Sequence, residues 1–322
     1  MTGAGQAAEG AGESLRTVLV ALAVNALIAS AKSVAAAISG SAAMLAEAAH
    51  SWVDAGNGIF LLLAERRAAR APTALHPMGF GRSAYVWAMV AGFGLFTAGA
   101  AVSVMHGIAA LRAGPAAGAA QDTTLAYVVL AVAFVLESVS FLQARRQVAQ
   151  AARSRGRQPW AFVLGTSQTT LRSIYLEDIT ALGGIVIAAL ALWLGERTGN
   201  PMYDAVGSIL VGLLLGAVAI VLIVRNAQFL VGDPGTPEMR AALRDWLLQQ
   251  RDVQRVGTMH IEFVGPGRVL VVAAVGLAGD PVASVLARRL RALEDELCRL
   301  QPAVARCLLT VGLPDGDEAC AP

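Results

Sequence analysis

Charge is scarce in this 322-residue chain: Asp, Glu, Lys and Arg make up 15% of it, against 56% hydrophobic residues, where soluble domains carry roughly 25% charged residues. So little charge excludes an ordinary soluble domain and points to a membrane protein. A formal net charge of +2, with no basic cluster interleaved by aromatics, excludes a nucleic-acid partner. Cysteine is as thin. Cys298, Cys307 and Cys320 are odd in number, lie near the C-terminus and lack CxxC spacing, so neither a disulfide framework nor a thiolate metal site is expected. Lysine is almost missing, with Lys32 alone among 25 basic residues. No base precedes Arg16, so the start lacks the basic region of a cleaved signal peptide and residues 1–14 read as a disordered tail. HExxH and GxSxG are also absent, which leaves a membrane-embedded hydrolase without its usual motifs.

What the chain does have is long apolar runs. Stretches near 17–38, 42–64, 85–111, 124–142, 175–194 and 203–224 are each long enough for a hydrocarbon core of about 30 Å. Six transmembrane helices are expected within residues 15–230. Ser39-Gly40-Ser41 makes a tight hairpin of the first two, and Gly199-Asn200-Pro201 joins the last two. The second loop holds Arg66, Arg67, Arg70 and Arg82, and the fourth holds Arg145, Arg146, Arg153, Arg155 and Arg157. Positive loops stay inside, so both termini are expected to be cytoplasmic, with the protein multi-pass in a cell's inner membrane. Residues 231–313 change pattern: helical spacing at 237–250, Val/Ile-rich strands at 253–264 and 268–278 around Gly265-Pro266-Gly267, an amphipathic helix at 281–300 and a strand at 303–311. The order α-β-β-α-β implies a small α+β domain, followed by a tail at 314–322.

The second helix carries the chemistry. Glu47, His50, Asp54 and Asn57 are spaced by three, four and three residues and share one helical face. Ionisable groups at membrane depth are costly and face a water-filled path or a partner, and an imidazole and a carboxylate one turn apart can bind one ion together. The other reading is a hydrogen-bonded packing stripe. Glu177-Asp178 stands before the apolar run 179–194, either as a second half of an ion site or as an N-cap stabilised by the helix dipole. Glu137 and Asp204 read as proton-relay or helix-pairing groups.

The segment Ser39-Gly40-Ser41 through Met44-Leu45-Ala46-Glu47-Ala48-Ala49-His50-Ser51-Trp52-Val53-Asp54-Ala55-Gly56-Asn57 closely resembles the second helix of cation diffusion facilitators. His76-Pro77-Met78-Gly79-Phe80-Gly81-Arg82 and Tyr203-Asp204-Ala205-Val206-Gly207-Ser208 resemble that family's second loop and sixth helix, and the likeness covers most of residues 15 to 311. It implies a homodimeric antiporter with a metal site between helices two and five, and a C-terminal domain that pairs across the dimer. His50 and Asp54 match the family's HxxxD pair and Asp178 its acid on helix five. Ile174 stands where many members have another ligand. The phrase Leu176-Glu177-Asp178-Ile179-Thr180-Ala181-Leu182-Gly183 resembles the branch of the animal mitochondrial zinc exporter, and there Glu177 is the candidate substitute. Adjacent helical residues point about 100° apart, so only a long side chain or an unwound turn would aim both acids at one ion.

Phe80 stands where members with an accessory site have a second His, so His76 reads as a loop residue. His260 lacks a His or Asp on neighbouring strands, and His106 reads as interfacial. The function expected is secondary active export of a divalent cation, zinc foremost, in exchange for protons, with no cofactor and no covalent catalysis. Its partners are a second copy of the chain, the bilayer, the metal ion and protons, with no nucleic acid. The rivals are a membrane-embedded hydrolase using His50 with Asp54 or Glu177, and a non-transporting scaffold. Lys32 lies about two turns before the hairpin, at the depth of Glu47. It either snorkels to the interface or pairs with Glu47 and tunes the proton dependence of transport.

Overall fold

A computed structural model describes residues 22–113, 123–279 and 281–312. The expected tails at 1–14 and 314–322, Cys320 and the first residues of the first expected span lie outside these. The chain forms two compact units, one comprising Met1–Leu63 with Trp87–Arg225, the other Ala64–Val86 with Asn226–Pro322.

The first unit is helical. α1 (Leu22–Ser39) turns at Gly40, whose φ of +59° suits a residue without Cβ, into α2 (Ala42–Ala68). α3 (Ser83–Ala113) contains a π-helical stretch at Leu95–Ala101. α4 (Thr124–Arg153) and a short α5 (Pro159–Gly165) precede α6 (Thr169–Thr198), which ends on left-handed Gly199 (φ +67°), and α7 (Met202–Val231). This is a helical membrane protein in which five described helices, α1, α3, α4, α6 and α7, are long and apolar enough to cross a bilayer. α2 has 27 residues, about 40 Å at the helical rise. The polar stripe Glu47, His50, Asp54 and Asn57 makes it too little apolar to join that set, so five described spans rather than six qualify by length and composition. The helices also run past the expected apolar stretches, and α5 was not foreseen. Apolar runs report only the lipid-facing length, whereas a helix continues as an amphipathic segment beyond it.

α3 and α7 approach closely. A methyl at Gly107 or Gly212 would press on the carbonyl of Ala205 or Ala100 across the seam. There Ser208 Oγ donates to the Ser103 carbonyl at 2.8 Å, which satisfies a hydroxyl that lipid could not.

The second unit holds a small three-stranded sheet. α8 (Pro237–Leu248) starts with Pro237 in its first turn and Thr236 accepting from the Met239 amide at 3.3 Å, a paired start signal. β1 (Val253–Gly265) pairs antiparallel with β2 (Arg268–Leu277), which pairs parallel with β3 (Val304–Val311) after α9 (Ala283–Leu300). Leu243 and Leu247 of α8 and Leu297 of α9 bury one face of the sheet with Met259, Ile261, Val271, Ala273, Cys307 and Leu309. The opposite face sets His260, Val272 and Leu308 side by side across the strands. The loop before α3 joins this unit: Arg82 pairs with Glu262, and Tyr85 stacks on Phe229 at 5.2 Å, which meets Phe263 edge-on at 5.5 Å.

Candidate functional site

The stripe on α2 is buried. Glu47, His50 and Asn57 are at most 4% exposed, and the Asp54 side chain is 19% exposed. His50 Nε2 lies 3.4 Å from Asp54 Oδ2, one turn along the helix. Around this pair, Glu47 Oε1, both His50 ring nitrogens, Asp54 Oδ1 and Asn57 Oδ1 are buried without a hydrogen-bond partner. Buried polar atoms are ordinarily satisfied, and leaving one in an apolar environment costs roughly 1–3 kcal/mol. A packing stripe would close such bonds within itself. An imidazole nitrogen and a carboxylate oxygen left unpartnered on one face are instead donor types that a divalent cation can take.

α6 contributes its two acids separately. It begins at Thr169, so Glu177 and Asp178 lie two turns inside the helix and are not its N-cap. Asn57 Nδ2 donates to Glu177 Oε1, whereas Asp178 Oδ2 accepts from Ser140 of α4 at 2.9 Å. The divergence follows from the angle between adjacent helical residues. Glu177 therefore reaches the α2 stripe and Asp178 faces α4. Among the described residues no three His, Cys, Asp or Glu side chains converge on one point: His50 and Asp54 stand together, and the α6 acids are held by Asn57 and Ser140. Glu137 of α4 lies within Coulombic range of Asp54, Glu177 and Asp178, so α4 adds a further carboxylate to this group of side chains.

Lys32 is fully buried, with Nζ 2.9 Å from Glu47 Oε2. It is paired inside the bundle and does not snorkel. Asp204 of α7 takes bonds from Ser41 Oγ and from the amides of Ala42 and Ala43, capping α2 from another helix. His76 stacks on Phe80, ring centroids 4.4 Å apart, and His106 and His260 are exposed. Sequence reasoning missed Ser140, although it follows Glu137 by three residues on one face of α4. It also missed Gly184, where a methyl would overlap Glu47 Oε1; the pair Gly183-Gly184 inside an apolar run was the available sign of a close approach.

The family model for the cation efflux transmembrane domain matches residues 18–231. The chain belongs to the cation efflux family. The human protein named proton-coupled zinc antiporter SLC30A9, mitochondrial, is 33% identical over 267 residues, 83% of this chain and 46% of that protein. The mouse protein of the same name matches equally, at 33% over 267 residues. Metal tolerance protein C4 of Arabidopsis thaliana is 32% identical over 269 residues, 84% of this chain and 58% of that one. The chain thus spans about half the length of these relatives. Membership gives the chain a cation efflux transmembrane domain over most of its length, and the human and mouse relatives are named as proton-coupled zinc antiporters. The expected location in a cell's inner membrane, with cytoplasmic termini, is overturned by the animal relatives, whose names place them in the mitochondrion. Loop arginines report which loops share a side of a bilayer, not which membrane holds the protein, and only the multi-pass topology stands.

Proposed function

We propose that this chain is a secondary active antiporter that moves a divalent cation, zinc foremost, out of the compartment holding its arginine-rich loops, in exchange for protons. The observation carrying this reading is the set of unpartnered, buried polar atoms around His50 and Asp54. Imidazole and carboxylate suit zinc, and both bind metal only when deprotonated, so protons and metal compete for the same groups. The name of the human relative, a proton-coupled zinc antiporter, supports the same exchange. In this reading α2 is a sixth span, and its charged stripe faces the bundle and not lipid. Arriving cargo is taken by His50 and Asp54, draws Glu177 away from Asn57, and recruits Asp178 as α6 adjusts. Glu137, whose charge acts on Asp54, Glu177 and Asp178, serves as the proton relay.

The working unit is a homodimer, and the α-β-β-α-β domain at 231–313 holds it together. The open sheet face with Val272 and Leu308, the latter 40% exposed, supports that pairing. Glu262, the carboxylate beside His260 on this face, is taken by Arg82, and among the described residues no three metal-binding side chains converge there, which suits pairing better than metal binding.

Ion flux tests the reading. The purified chain in proteoliposomes, offered zinc, cobalt, manganese, iron and cadmium across an imposed pH gradient, is expected to move zinc fastest and to stop when the gradient is collapsed. Flux indifferent to the gradient would rule out exchange, and no metal flux at all would favour the scaffold.

A further inference from the structure

Lys32 and Glu47 form the only buried Lys–carboxylate pair among the described residues, and the transport scheme above gives the lysine no task. Its position is costly. Desolvating two charges is repaid only when geometry is good and the remaining polar atoms are satisfied, yet Glu47 Oε1 has no partner and packs against Gly184 of α6. Glu47 precedes His50 by three residues on the same face of α2, about 4.5 Å along the axis. The Lys32 ammonium is also close enough for its charge to act on His50, Asp54 and Glu137.

We propose that Lys32 is a positioning residue, a tethered counter-cation that holds Glu47 out of the cargo's ligand set and thereby keeps the site weak enough to release its ion. The inference rests on the transport reading above. Without Lys32, the α2 face would offer the cargo a second carboxylate one turn from His50, and a repelling positive charge would be gone. Binding would tighten and release would slow. Without Glu47, the ammonium would stand unscreened beside the same site, and binding would weaken. Removing both leaves the local charge as it was. A purely structural pair behaves differently, because breaking it from either side leaves an uncompensated buried charge and damages the protein in the same direction.

The test uses the full chain in lipid nanodiscs for equilibrium Zn2+ binding, and in proteoliposomes for initial rates. Lys32→Met is expected to bind Zn2+ about tenfold more tightly, with KM and kcat falling together, the scale of one charge about 8–10 Å away at an intermediate dielectric. Glu47→Gln is expected to bind about tenfold more weakly, and the double variant to return to within about threefold of wild type. Should Lys32→Met fail to give a monodisperse protein, the comparison of Glu47→Gln with the double variant decides, and the double variant must bind the more tightly. Lys32→Met binding no tighter than wild type, both single variants weakened alike, or a double variant no better than Glu47→Gln would each overturn the proposal. Wild-type protein that binds no Zn2+ would instead overturn the transport reading, and this proposal with it.

Discussion

Cys307 lies at the centre of the C-terminal core, 3% exposed, and burial, with Cys298 and Glu294 adding to it, pushes its thiol up to about 12. In the unfolded chain a thiol ionises near about 8.5. The folded state therefore holds the proton that the unfolded state gives up, so the domain's stability falls as pH climbs from about 8.5 toward 12 and is unaffected by this group below that window. Alkylation at pH 8 followed by peptide mass spectrometry is expected to leave Cys307 unmodified until denaturant is added. Rapid native labelling of that peptide would contradict the packing. At this scale the sequence showed residue types and faces but not partners. His50 and Asp54 were legible as a pair from their spacing alone, because a helix fixes which residues neighbour each other at four apart. Asp204 was left between a relay and a pairing role, since its bonds to Ser41, Ala42 and Ala43 join residues 161 to 163 positions apart, which local patterning does not link.

Among the elements, α2 and α6 decide how the candidate site is built. At one level Glu47 of α2 packs directly against Gly184 of α6. A methyl at Gly184 would overlap the Glu47 carboxylate, whereas one at Gly183 would meet the movable end of Leu214 at 3.1 Å. Gly184→Ala is therefore expected to lower zinc flux at least about tenfold, while Gly183→Ala stays within about twofold, an asymmetry characteristic of close packing around a fixed polar group. Equal effects of the two substitutions would remove Glu47 from this seam. The start of α6 was read too late from the sequence because Thr169 to Tyr175 includes Thr, Arg and Ser and does not register as apolar. That error alone made an N-cap role for Glu177-Asp178 look plausible. The strands of the C-terminal domain, by contrast, were legible to within a residue or two, since β-branched runs and a glycine-proline turn fix both ends.

The chain carries a group of buried charged side chains in its helical unit and, in its other unit, a three-stranded sheet with His260, Val272 and Leu308 on the face opposite α8 and α9. If that face joins two copies, Leu308→Asp places two carboxylates in an apolar contact, and light scattering is expected to show a monomer while the isolated chain keeps its secondary structure. A variant that remains dimeric would move the contact elsewhere. Five of the six expected spans and the family were readable because apolar length and the α2 phrase are local signals. The membrane that hosts the chain was not, since no local physical feature distinguishes one bilayer with an arginine-rich side from another. The central claim is that His50 and Asp54 hold the cargo, and zinc flux by His50→Ala and Asp54→Ala in proteoliposomes tests it most directly. Each variant is expected to fold and dimerise as wild type does and to lose at least about 90% of its flux, on the order of 1.4 kcal/mol or more of lost binding or barrier lowering. Flux at the wild-type level from either variant would contradict the claim and return the α2 stripe to a packing role.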